Sequence, residues 1–108
     1  MLERLAFGVS DGNTAQTVST SVGRSLQLAY ATVTYSATPV QTGMVATLNS
    51  AFGTPPDTTL LTGTANIRYS FIDFEAMKLH PDDRVDILAP AAGGVITSIV
   101  AIYGEVVG

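Results

Sequence analysis

The stretch from Gly94 to Val107 is apolar at both parities. On a strand, side chains alternate between faces. Ile96, Val100, Ile102 and Val106 therefore point one way, and Val95, Ile99, Ala101, Tyr103 and Val107 the other. A strand in a single-layer sheet keeps one face wet and needs no such pattern. Two apolar faces call for two coverings, a core on one side and a second layer or a second chain on the other. Arg24 to Ser36 reads in a similar way. Leu26, Leu28 and Tyr30 share a face, and then the phase shifts so that Val33 and Tyr35 carry the apolar side. Such a shift predicts a β-bulge or a crossing between sheets.

Short alternating segments broken by turn residues fill the rest of the chain. Met1 to Gly23 is the least patterned part, with a turn signal at Ser10-Asp11-Gly12-Asn13, and is expected to be an N-terminal arm or an edge strand. Met44 to Phe52 alternates, with Met44, Ala46, Leu48 and Phe52 inward. The adjacent prolines Pro55 and Pro56 mark a loop, because neither can donate to a ladder. Thr58 to Thr62 is a short segment. Ala65 to Phe74 is a strand with Ala65, Ile67, Tyr69 and Phe71 on one face and a phase shift at Ile72 and Phe74. Glu75 to Leu79 fits one helical turn, and Pro81-Asp82-Asp83 fits a turn before a strand with Val85, Ile87 and Ala89 on one face. Seven or eight short antiparallel strands without a long helix predict an all-β fold, a single-domain β-sandwich or jelly roll over residues 24–108.

With 108 residues there is room for one core. There are no cysteines, which removes disulfides, thiolate metal sites and a cysteine nucleophile. Only 13% of residues are charged, and 14 Thr, 8 Ser and 10 Gly take their place. Such a surface suits a chain packed against neighbours, as it also suits a Thr-rich β-protein. The five basic residues, Arg4, Arg24, Arg68, Lys78 and Arg84, are dispersed within a net charge of −4. Nucleic-acid binding needs them clustered, so it is not expected. No apolar run is long enough for a membrane helix. The N-terminus lacks the basic start and apolar block of a secretory signal, so the chain is expected to be complete from Met1 and made in a cytoplasm.

No catalytic, cofactor or metal site emerges. His80 has neither a second His nor any Cys to join it, and Pro81 places it in a solvated turn. Asp82, Asp83 and Asp86 offer oxygen ligands for calcium, but their spacing matches no EF-hand loop, and acidic turns of this kind serve solvation and turn geometry. Asp73 and Glu75 are a possible carboxylate pair for glycoside hydrolysis, yet no Trp and few aromatics are present to form a sugar platform. The chain is not expected to be an enzyme. The residues singled out are instead candidates for an oligomer or partner interface: Tyr30, Tyr35, Val95, Ile99 and Tyr103. The alternative is that these faces meet each other across the sandwich core.

One resemblance runs through Leu28-Ala29-Tyr30-Ala31-Thr32-Val33-Thr34-Tyr35-Ser36-Ala37-Thr38-Pro39 and Met44-Val45-Ala46-Thr47-Leu48-Asn49-Ser50. It continues through Asp57-Thr58-Thr59-Leu60-Leu61, Leu79-His80-Pro81-Asp82-Asp83-Arg84-Val85-Asp86-Ile87, and the closing Ile99 to Val106. In order and pattern, from about Arg24 to Val107, the chain resembles the small β-sandwich decoration (cement) proteins of tailed-bacteriophage heads. Many of these carry Gly-Asp before the penultimate strand, where this chain has Asp82-Asp83. The resemblance implies a non-enzymatic virion protein on the capsid surface. It would clamp neighbouring copies of the major capsid protein, as a homo-oligomer with a trimer favoured and with no cofactor. A neck, tail or fibre component, or a carbohydrate-binding β-sandwich module, are the alternatives.

Overall fold

The structure, a computed structural model, describes residues 2–11, 15–21, 23–37, 45–49, 57–62, 68–91 and 96–107. Among these residues there are eight strands and no helix. They are β1 (Glu3–Ser10), β2 (Gln16–Ser19), β3 (Leu26–Tyr35), β4 (Val45–Asn49), β5 (Asp57–Thr62), β6 (Tyr69–Leu79), β7 (Arg84–Ala89) and β8 (Ser98–Val106). One four-stranded sheet has the order β1-β8-β3-β6, and the other β2-β7-β4-β5. Every pairing is antiparallel. Only β4 and β5 are sequential neighbours within a sheet, and every other connection crosses between the two sheets. This is an eight-stranded jelly roll, the arrangement in which two sheets wound together bury one shared core.

The residues 1–23 contain two edge strands. β1 pairs with β8, and β2 pairs with β7 in the other sheet. What reads as weak patterning is the mark of edge strands, which pair on one side only and tolerate polar residues. Met44, Val95, Phe52 and the Pro55-Pro56 loop lie outside the described residues.

The core lies between the sheets. Leu26, Leu28, Ala31, Val33 and Tyr35 of β3, Ile72, Phe74 and Leu79 of β6, and Val100 and Ile102 of β8 meet Val18, Ala46, Val85, Ile87 and Ala89 of the opposite sheet. Polar groups carried inward are paired. The Gln16 side-chain amide donates to Ser98 Oγ at 2.9 Å and to the Ser98 carbonyl at 3.1 Å. Val85 N–H donates to Thr20 Oγ1 at 2.9 Å. Among the described residues no buried side-chain nitrogen or oxygen lacks a partner, as the cost of an unmade buried hydrogen bond requires.

A line of bulges crosses the first sheet. The register slips between Arg4 and Ala6 on β1 and between Leu28 and Tyr30 on β3. On β6, Tyr30 pairs with Asp73 and Leu28 with Met77, and the extra residues include Glu75 and Ala76 at φ 54° and 58°. Two left-handed residues side by side bend the backbone without ending the strand. The expected helical turn at Glu75 to Leu79 is therefore a bulged continuation of β6. Asp73 Oδ1 steadies it by accepting Glu75 N–H at 2.8 Å.

The bulge at Ala29 also corrects the faces. Leu26 and Leu28 point inward before it, and Ala31, Val33 and Tyr35 after it, so Tyr30 turns outward. On β6, Ile72 and Phe74 are the core residues, while Tyr69 and Phe71 are exposed.

Candidate binding face

The outer face of β1-β8-β3-β6 collects residues from four distant parts of the chain. Cross-strand partners share a face, and the register sets them in rows. The first row is Arg4, Tyr103, Tyr30 and Asp73. Phe7, Ala101, Thr32 and Phe71 form the second, and Val9, Ile99, Thr34 and Tyr69 the third. Phe7 is 48% exposed, Val9 57%, Tyr69 54%, Phe71 52% and Ile99 39%. A monomer rarely leaves so many neighbouring large apolar groups wet without a use for them.

The aromatic rings are organised. Tyr30 stacks on Tyr103 with centroids 4.7 Å apart and on Phe71 at 5.3 Å, with interplanar angles of 25° and 24°. Those distances match the spacing between strands, so the rings stand side by side on the sheet, with Tyr30 stacked against both neighbours. The Arg4 guanidinium lies 4.3 Å from the centre of the Phe7 ring, a cation–π contact.

Beside the first row, the bulge line opens a depression of about 220 Å³ whose lining includes Leu2, Gln27, Ala29, Asp73, Ala76 and Glu105. It exists because the bulges bring small residues to the surface. Gly104 is part of the same device. A Cβ there would meet the Gln27 carbonyl oxygen and would lie 3.0 Å from Leu28 Cα, both backbone atoms. The depression thus sets two carboxyl groups and an amide next to the Tyr30–Tyr103 stack.

Of the residues read from sequence, Tyr30, Ile99 and Tyr103 come together on this face. Tyr35 does not. It is 3% exposed within the core, and its hydroxyl donates to the Pro90 carbonyl at 3.4 Å. Burial raises its pKa above the ordinary phenol value, because a phenolate there would lose its hydration. Val95 lies outside the described residues. Phe7, Val9, Tyr69 and Phe71 join this surface only through strand register, since no local signal in the sequence links β1 and β6 to β8.

The other polar candidates do not converge. His80 is exposed, and Asp83 Oδ2 accepts the His80 N–H at 3.2 Å and faces its Nδ1 at 3.3 Å, closing the turn. Asp86 Oδ1 accepts Ser19 Oγ–H at 2.6 Å and Arg84 Nε–H at 3.0 Å. Both carboxylates thus hold local structure. Among the described residues no three potential ligands gather around a metal position, and no helix is long and apolar enough to cross a membrane.

No protein-family model matches the chain, and no curated protein matches it. Solved structures do. A mutant of chitosan-binding module 1 from a chitosanase/glucanase of Paenibacillus sp. IK-5 superposes with a TM-score of 0.56 at 17% identity, over 92% of this chain and 75% of that one. The family 32 carbohydrate-binding module of C. perfringens NanJ, solved with galactose, gives 0.53 at 13% identity, over 95% and 99%. At such identities the likeness is one of fold: this chain has the β-sandwich of those modules.

Proposed function

We propose that this chain is a non-catalytic binding domain for carbohydrate, held at the depression on the bulge line. The observation that carries the reading is the chemistry of that depression. Asp73 and Glu105 are acceptors for sugar hydroxyls and the Gln27 amide both donates and accepts, while Tyr30 and Tyr103 occupy the adjoining row of the sheet. Pockets with a few convergent polar groups and apolar walls are the usual form of small-ligand sites. The shared sandwich of the chitosan-binding and galactose-bound modules supports the choice of ligand class. Because the depression is lined by carboxyl and amide groups and not by a ring face, hydrogen bonds supply most of the recognition. A site this open gives weak binding, with a Kd of about 0.1 mM, roughly −5.5 kcal/mol.

The test is an amide chemical-shift titration of the labelled protein with neutral, acidic and amino oligosaccharides. Shifts centred on Gln27, Ala29, Gly104 and Glu105, abolished in Asp73→Asn, are the expected result. A panel that moves none of these amides at millimolar sugar overturns the reading.

A second reading is the capsid decoration protein that the sequence resembles. It is favoured by the breadth of the exposed apolar rows, which exceeds the needs of a small ligand, and by the low charge of the whole chain. Many modest contacts, multiplied by the symmetry of a capsid, would then hold the protein in place. Co-sedimentation with capsids assembled from the major capsid protein of the same genome tests it. Saturable binding that Phe71→Glu abolishes supports this reading, and its absence removes it.

A further inference from the structure

We propose that the outer face of β1-β8-β3-β6 closes on a second copy of this chain across a two-fold axis running along the strands between β8 and β3. Positions in the rows are matched in pairs about that line. In two of the three rows sizes are mirrored across it: Tyr103 answers Tyr30 in the first, and in the second Ala101 answers Thr32 and Phe7 answers Phe71, while in the third Ile99 faces Thr34 and Val9 faces Tyr69. Charge is reversed across it, with Arg4 at the β1 end of the first row and Asp73 at the β6 end.

A two-fold contact brings each position against its counterpart on the other side of the axis. Apolar side chains then meet apolar ones, and Arg4 of each copy meets Asp73 of the other, twice per pair. The other in-plane axis, perpendicular to the strands, would lay the first row on the third and set Arg4 against Val9 and Asp73 against Tyr69. That arrangement desolvates two charges on apolar surface and is disfavoured. Of the residues flanking the axis, only Ala101 and Thr32 of the second row are both small, so the closest approach falls there, between the Tyr30–Tyr103 stack and Ile99.

The three rows cover four strands about 4.8 Å apart and about five residues of length, roughly 19 by 17 Å. That is small for a stable interface, so the pair is weak and its formation depends on concentration. The pair buries Asp73 and the Tyr30–Tyr103 row beside the proposed sugar site, so pairing and sugar binding compete. Sedimentation without sugar reports the pairing, and sugar-dependent shifts in the Phe71→Glu monomer report the site, so either can fail alone.

Sedimentation of the purified chain over a dilution series is expected to show a species of twice 11.2 kDa that gives way to the monomer. Phe71→Glu, at a position 52% exposed and so tolerant of charge in the monomer, is expected to weaken pairing by at least about 30-fold. Arg4→Glu, which sets like charges together, is expected to weaken it by about tenfold. Geometry is read by cross-linking, since the chain has no cysteine of its own. Packed sheets lie about 10 Å apart, too far for a disulfide, so a bismaleimide of about that reach is used. A mixture of Val9→Cys and Tyr69→Cys chains is expected to cross-link to each other, and neither to itself. A monomer up to about millimolar concentration, a closed trimer, or self-cross-linking of Val9→Cys would each overturn the proposal.

Discussion

The two faces of the sheet β1-β8-β3-β6 are built on the same strands and are both rich in apolar residues, yet they do different things. Inside, Leu28, Val33, Val100 and Ile102 are fully enclosed by the opposite sheet. Outside, Phe7, Phe71, Tyr69 and Ile99 stand at the surface around stacked tyrosines. The inner face tolerates no wet group without a partner, and its few polar residues are bonded. The outer face mixes threonines and charges with aromatics and leaves room for a depression. Alternation in a strand thus shows that both faces are apolar, but does not say which one folding consumes.

The contrast can be broken most severely at the bulge line. Gly104→Val is expected to prevent folding or cost more than about 3 kcal/mol, because the new side chain runs into backbone of β3 that has nowhere to move. Thermal unfolding by circular dichroism reads this directly. Leu28→Ala on the inner face is expected to cost about 3 kcal/mol through lost burial and a cavity, measured by urea unfolding. If Leu28→Ala and Phe71→Ala cost the same in the monomer, the distinction between the faces fails. Tyr103→Ala is expected to cost only about 1 kcal/mol, since it removes one stacking contact from a half-exposed row.

The smallest effect is one of pH and lies inside. The Tyr35 phenol has a folded pKa raised by burial from its usual 10.0. Above that value the unfolded chain gives up this proton while the folded chain keeps it. The neutral phenol's contribution is therefore fully present below about pH 10 and is lost as pH rises through the folded pKa. Tyr35→Phe is expected to flatten this alkaline fall in a urea midpoint series from pH 8 to 11. An unchanged slope would show that another group carries it.

Much of the fold was legible along the chain. The seven or eight short strands, the lack of a long helix and the sandwich follow from short alternating runs separated by turn residues, and the described residues agree with them. The phase shift in β3 pointed to a bulge, although the structure sets it at Ala29 and so sends Tyr30 outward and Tyr35 inward. One residue decides this, because side chains alternate with period two. Glu75 and Ala76 were harder. Both favour helices, and only the pairing of β6 with β3 on either side holds them in a left-handed bulge. Of the candidate face, Ile99 and Tyr103 were visible as the outer side of a doubly apolar strand.

By itself, then, the sequence determined that this is a cysteine-free, low-charge, all-β chain with more apolar strand surface than one core can absorb. Alternation and turn chemistry are local and can be read locally. Only the tertiary structure decided that Arg4 and Phe7 would lie beside Tyr103, Tyr30, Asp73 and Phe71. Those rows depend on β1 pairing with β8 from the opposite end of the chain and on three bulges falling into line. Such long-range register is set by which faces the core must bury, and no stretch of sequence carries it alone.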